Sequence, residues 1–350
     1  MMRILFDGWW WTSGPPSSRD LQRELVHAWH RSFPNDRIAV AIRGSAREPE
    51  LPVGVERVST HLRPHALSNT FELRRIARRW RADAVIADSF TPARSGAVTF
   101  VHDAMFLDHP DWYSWQQRLN LRAVLPSARL AAVVATGTAS EAARIERHAW
   151  ELAPVTALGT APRTALTAVP PERPGVTTGL EGFALAVGRW GARSDHDRLA
   201  AAARQSARIS ARTPLIIAVS SEERRLRALR RLESEAPARI VAGLRGAELS
   251  WLYRHAAVAL ALERDENYGL AALEATWFDT PLVATDLPAH RETAGGWARM
   301  VPVDAPPSLI AAVIDDAWNA PGDESARTRI IERSSWPHVV RALRTALPHA

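Results

Sequence analysis

The sequence has no cysteine and, over its 350 residues, no lysine, so all 44 basic side chains are arginine. Without cysteine there is no disulfide, thiolate nucleophile, zinc–thiolate site or iron–sulfur cluster. Without lysine there is no Walker A phosphate loop and no Schiff base, which also removes phosphorylases that hold a cofactor on lysine. Arginine-only usage suggests GC-rich coding rather than a function. Long apolar runs are missing too, and none approaches the ~18 residues that span a bilayer. Met1–Gly8 (MMRILFDG) reads as a strand and lacks a leader's cleavage pattern, so a cytoplasmic protein is expected. The first strand ends in Asp7-Gly8-Trp9 with no Gly-x-Gly-x-x-Gly fingerprint, which argues against a dinucleotide-dependent oxidoreductase.

What is present describes a globular protein, 46% hydrophobic and 23% charged, with length for two domains. The net charge of +6 is uneven: 21 Arg face 16 Asp and Glu through Arg163, against 23 and 22 in the remainder. A basic first half suits an anionic acceptor or the anionic face of a membrane. Arg74, Arg75, Arg78, Arg79 and Arg81 concentrate that charge on one predicted helix, read either as a solvated face or as interfacial attachment. No nucleic-acid-reading motif accompanies it.

Hydrophobic patterning alternates between short apolar runs and helical periodicity. Strands are expected at Arg3–Asp7, Arg37–Ile42, Ala84–Ala87, Ala97–Val101, Leu130–Ala135 and near Pro154–Leu158. Helices are expected over Arg19–Phe33, Thr70–Trp80, Trp115–Ala128 and Ser140–Arg147. After the proline-rich stretch 163–181 the alternation resumes through Phe183–Val187, Leu215–Val219, Arg239–Ala242, 257–262 and Pro281–Thr285, with a last helix over Trp336–Leu347. Such alternation implies parallel sheets covered by helices on both faces. The expected division is 1–165, a linker at 166–181, 182–333, and a C-terminal helix in 334–350 that returns to the first domain.

Residues 257–274 (AVALALERDENYGLAALE) combine a buried strand, a polar loop and a helix opening near Gly269. Open α/β sheets bind ligands outside the carboxyl ends of their strands, and a helix N-terminus there favours anions. Glu266 lies in the loop and Glu274 in the helix. An ionised carboxylate accepts on both oxygens, so Glu274 suits a ribose diol, and the stretch reads as a nucleotide-sugar site. Trp9, Trp10 and Trp11 follow the first strand; consecutive side chains of an extended segment point to opposite faces, so at least one is available to stack on an acceptor. Trp112 and Trp115 divide between the same two roles. Asp195-His196-Asp197 is read as a helix start capped by Ser194 or Asp195 rather than as a metal triplet, and no metal is expected.

Taken together, ALAVGRWGARSDHDRL (184–199), AELSWLYRHAAVALAL (247–262), ENYGLAALEA (266–275), TPLVATDLPAHRETAG (280–295), VHDAMFLDHPDWYS (101–114) and the SSW at Ser334–Trp336 resemble glycosyltransferase family 4. The resemblance covers nearly the whole chain. It implies a GT-B fold, with two Rossmann-like domains facing each other across a cleft. It also implies a retaining, metal-independent hexosyltransferase that uses a nucleoside-diphosphate sugar and no cofactor. By the same resemblance Glu274 holds the nucleotide ribose, and Glu266 with Tyr268, Gly269 and Leu270 grips the transferred sugar. Arg189 pairs with the diphosphate, and His102 touches the donor sugar near the reacting carbon. Where the family usually has a second diphosphate cation, a lysine, this chain has Ser194 with Arg193 beside it. The family's Pro-Ser before the loop is Leu262-Glu263, and its glycine-rich turn after the first strand is replaced by residues 8–19. The implied acceptor is a glycan or lipid-linked molecule in cell-envelope polysaccharide or glycolipid synthesis, with peripheral membrane association as a further implied property. The alternative is a catalytically inactive GT-B protein that binds a nucleotide sugar or partners an active enzyme.

Overall fold

The computed structural model describes residues 1–12, 14, 16–44, 50–93, 96–188, 191–220 and 226–348. The chain divides into two compact units, Met1–Thr160 with Ser335–Ala350, and Ala161–Ser334.

The first unit is built on β1 (Arg3–Asp7), β2 (Arg37–Arg43), β3 (Glu56–Thr60), β4 (Ala84–Asp88), β5 (Ala97–Phe100), β6 (Val133–Thr136) and β7 (Thr156–Ala157). They form one sheet in the order β3-β2-β1-β4-β5-β6-β7, and every neighbouring pair is parallel. Strands of a sheet covered on both faces must be apolar throughout, and all five residues of β4 (AVIAD) are buried, its aspartate included. The chain returns to the middle of the sheet after β3, placing β1 and β4 side by side with Leu5 opposite Val85.

The last helix, Trp336–Thr345, belongs to this unit. Val339, Val340 and Leu343 are its buried face. It packs on helix Pro16–Ser32, and Arg344 pairs with Asp36 while lying over the Phe33 ring, 4.2 Å from its centre.

Two expectations for this unit are corrected. The single helix expected over Trp115–Ala128 is two, Trp115–Leu121 and Val124–Ala128. Pro126 is the cause: its ring clashes with the carbonyl four residues earlier, so proline is confined to a helix's first turn. Strand β3 was not expected, because ERVST is a half-exposed edge strand with alternating burial and no apolar run. The arginine-rich helix, Arg74–Trp80, has no buried residue.

The second unit contains β8 (Ala184–Gly188), β9 (Leu215–Val219), β10 (Ala238–Ala242), β11 (Val258–Ala261), β12 (Leu282–Thr285) and β13 (Arg299–Val301). Its all-parallel order is β10-β9-β8-β11-β12-β13. Here the reversal falls between β8 and β11, where Leu185 faces Ala259. Leucine, isoleucine and alanine side chains pack both faces, with Leu199, Ile217 and Ile314 on one and Leu252, Tyr253 and Ala275 on the other. In the proline-rich stretch Leu166 and Thr177 are buried and Arg173 lies over Trp251, all within this unit. Among the described residues no helix is long and apolar enough to cross a membrane.

Candidate active site

In the second unit the topology brings two loops together at the sheet's reversal: the one leaving β8 and the one leaving β11. Ligands of open α/β sheets sit at such points. The Arg264 N–H donates to the Arg193 carbonyl at 2.8 Å, tying the loops to each other. Helix Leu270–Trp277 then starts from Gly269, whose φ of 62° is left-handed. A Cβ at Gly269 would lie 2.5 Å from Thr293 Oγ1, so the turn needs glycine for both its conformation and its space.

Glu266 folds back on this turn. Its Oε1 accepts from the N–H groups of Asn267 and Tyr268 at 2.9 and 3.2 Å, and its Oε2 lies 3.4 Å from Arg193 Nη2. Burial would raise the Glu266 pKa, but Arg193, His290 and the two N–H groups outweigh it and hold the carboxyl below its usual range. Glu263 goes the other way. Burial and the neighbouring charge of Glu266 push it up, against His290 and Arg193. His290 Nδ1 faces the Thr285 carbonyl at 2.8 Å and must donate there, which leaves Nε2 toward Glu263 Oε2 at 3.6 Å. Two largely buried carboxyls, one arginine and one histidine therefore lie together, and the carboxyls' proton affinities are driven apart.

Glu274 stands elsewhere. Its carboxylate is buried and takes a two-pronged bond from Arg163, Nε to Oε1 at 2.8 Å and Nη2 to Oε2 at 3.1 Å. The Tyr253 hydroxyl donates to Oε2 at 3.0 Å. Burial first, then the charge of Glu274, pushes the Tyr253 hydroxyl well up. The carboxylate expected to face a ribose diol is thus already paired on both oxygens.

Of the remaining expected site residues, Arg189 lies outside the described residues. Ser194 ends the turn Ala192–Ser194, and its N–H donates to the Gly191 carbonyl. Asp195 occupies the capping position of helix His196–Gln205, but in a left-handed conformation with no side-chain cap. Its carboxylate lies against Arg198 and Arg264 instead, while Asp197 pairs with Arg231.

His102 belongs to the first unit, two residues beyond β5. Its Nε2 lies 2.9 Å from Asp88 Oδ2 at the end of β4. Burial lowers the imidazole's proton affinity, yet the charge and hydrogen bond of Asp88, with Asp103 adding, raise it overall. Asp88 shows the mirror image: burial raises its pKa, and His102, His65 and Ser89 bring it below the ordinary value. Of the three tryptophans, Trp9 and Trp11 are buried and Trp10 is half-exposed, its ring edge-on to those of Trp9 and His65. Trp112 stacks on His109 at 3.9 Å, and Trp115 is exposed.

Sequence reasoning missed Arg163, Tyr253, Glu263, His290, Asp7, His65 and Asp88 as members of these sites. A signal existed for the aspartates, since both end strands of the first sheet. Arg163 sits in a proline-rich stretch without periodicity and gave none.

Residues 182–316 match the family model described as Glycosyl transferases group 1. No curated protein matches the chain in sequence. Among solved structures, a sucrose-phosphate synthase from Thermosynechococcus elongatus is similar with a TM-score of 0.75 at 16% identity, over 99% of this chain and 97% of that one. The Anabaena protein HepE, in complex with UDP and glucose, is similar with a TM-score of 0.69 at 14% identity over 99% of each chain. WaaG, a glycosyltransferase involved in lipopolysaccharide biosynthesis, gives a TM-score of 0.66 at 16% identity over 97% of this chain and 95% of that one. At such identities the likeness speaks for the fold alone. The chain has the α/β architecture of GT-B glycosyltransferases, and its residues 182–316 match the model of glycosyl transferases group 1.

Proposed function

We propose that this protein is a family 4 glycosyltransferase that moves a hexose or deoxyhexose, with retention, from a nucleoside-diphosphate sugar to a glycan or lipid-linked acceptor. The observation that carries the reading is the loop after β11. There a left-handed glycine opens a helix beside Glu266 and Arg193, inside the segment that matches group 1. Neighbours solved with UDP or UDP-glucose make a uridine donor the first to try. In the reaction the bond from the anomeric carbon to the diphosphate oxygen breaks. The acceptor oxygen bonds to that carbon on the same face, and its proton passes to the departing phosphate. The site's service is to neutralise the leaving group with fixed cations, which falls to Arg189 and Arg193, with no metal and no cofactor. Ser194 in place of a lysine removes one charge-assisted bond, about 1.5–3 kcal/mol. Cell-envelope polysaccharide or glycolipid assembly at the inner face of the membrane is the setting that goes with this reading.

The test is a thermal-shift screen of nucleoside diphosphates and their sugars, since a ligand bound only by the folded state raises the melting temperature. Time-dependent release of nucleoside diphosphate from the best donor follows. Release abolished by Glu266→Gln and Arg189→Ala supports the reading. Binding without turnover supports the second one, a GT-B protein that binds a nucleotide sugar without transferring it. Ser194, standing where the family usually has a lysine on the diphosphate, is the observation that favours this alternative.

A further inference from the structure

Two carboxylates close adjacent strands at the reversal of the first sheet, Asp7 on β1 and Asp88 on β4, and both are buried. Asp7 Oδ2 accepts from His65 Nε2 at 2.9 Å, Asn69 Nδ2 at 2.7 Å and the Asp88 N–H at 3.2 Å. Its Oδ1 accepts from the Trp9 N–H at 2.9 Å. Asp88 in turn accepts from His102 Nε2 at 2.9 Å and Gln22 Nε2 at 3.1 Å on one oxygen, and from Ser89 Oγ at 2.6 Å on the other. Behind them the His65 ring is stacked on Trp9 and edged by Trp10 and Phe90.

Ser89 holds a φ of +61°, a left-handed conformation that costs a non-glycine residue energy and clusters at functional sites. The Ser89 N–H donates to the Phe100 carbonyl, so the strained turn is fixed to the strand that leads to His102. Burying two acids is a poor way to stabilise a sheet, since a hydrophobic pair of similar volume usually does better. The arrangement makes sense if the acid acts on the histidine. The charged groups that face this pair are Asp103 on the His102 side and His65 and Asp7 behind Asp88.

We propose that Asp88 is a positioning residue for His102, its buried carboxylate fixing the imidazole plane and the proton on Nε2 so that the ring meets the reacting sugar in one orientation and one tautomer. The proposal rests on the transferase reading for its catalytic half. Its structural half concerns the first unit alone.

Histidine 13C NMR of the ligand-free protein, with the His102 signal assigned by His102→Gln, separates the two halves. Asp88→Asn is expected to lower the His102 titration midpoint, because the carboxylate that favours the imidazolium is gone. With a nucleotide sugar the wild type turns over, the same variant is expected to lose kcat on the order of 10²-fold, with the donor KM little changed and the pH–rate limb moved with the NMR midpoint. Asp88→Glu, which keeps the charge and displaces it by one methylene, is expected to fold and to lose less. An unmoved midpoint in folded Asp88→Asn, or full kcat in either variant, overturns the proposal. A wild type that turns over no nucleotide sugar overturns the transferase reading instead, and the titration then still decides whether Asp88 governs His102.

Discussion

Arg163 holds both oxygens of Glu274, with its guanidinium one-third exposed and the carboxylate almost fully buried. A ribose diol seeking that carboxylate has to displace the arginine or share with it. Arg163→Gln is therefore expected to tighten nucleoside-diphosphate binding about tenfold, less than the ~1.5–3 kcal/mol of a charge-assisted bond would allow, because the pair is partly screened. The same variant should melt at a lower temperature without ligand, since the buried Glu274 carboxylate loses its cation. Calorimetric titration with UDP decides; weaker binding would make Arg163 a contact of the ligand rather than its competitor.

The Glu263 and Glu266 carboxyls are expected to give opposite stability profiles. Glu263 is raised when folded. As pH rises from the unfolded value near 4.5 toward the raised one, the native state keeps a proton that the unfolded chain has lost, and stability falls. Glu263→Gln removes that penalty and should raise the melting temperature at neutral pH but not at pH 4. Glu266 is lowered, so its contribution is present above about 4.5 and is lost as pH falls through its folded value. Glu266→Gln should therefore lower the melting temperature at neutral pH. Melting curves of both variants from pH 4 to 8 check the pair of signs.

Gly269→Ala meets two obstacles, a left-handed φ and the Thr293 hydroxyl. The conformation alone costs roughly 1–2 kcal/mol, and relieving the contact shifts the first turn of helix Leu270–Trp277. Chemical denaturation should register that loss. Donor binding, measured where the variant is fully folded, should weaken further, because the loop that leads into this turn carries the Asn267 and Tyr268 N–H groups that hold Glu266.

Leu343→Ala removes a buried side chain from the C-terminal helix and is expected to cost about 2–5 kcal/mol. Amide exchange should place the added opening in helix Pro16–Ser32 and its sheet, leaving helix Leu270–Trp277 protected. Uniform loosening of both units would contradict the packing described for this helix.

Most strands were legible because a doubly covered parallel sheet leaves no polar face. RILFD, AVIAD and LIIAV announce themselves as apolar runs. β3 was not, since an edge strand such as ERVST is stabilised by its pairing with β2 rather than by its own burial. The loop after β11 was legible as a strand-to-helix turn through the order of Glu266, Gly269 and Glu274 along the chain. Their partners were not: Arg163 reaches Glu274 across 111 residues of sequence, and Asp88 reaches His102 through the pairing of β4 with β5. No local pattern encodes a contact that only the strand order creates.

The helix that completes the first unit leaves the ribosome only after the whole second unit has been made. Helix Pro16–Ser32 emerges much earlier and must wait, with Trp29 and the residues beneath Val340 and Leu343 uncovered, while the entire second unit is made. Domains tend to fold in the order of synthesis, so the second unit can mature before the first is closed. A nascent chain stalled before residue 335 would then carry a finished second unit beside a half-assembled neighbour, and binding of the missing helix supplied as a separate peptide would report how much of the first unit had already formed.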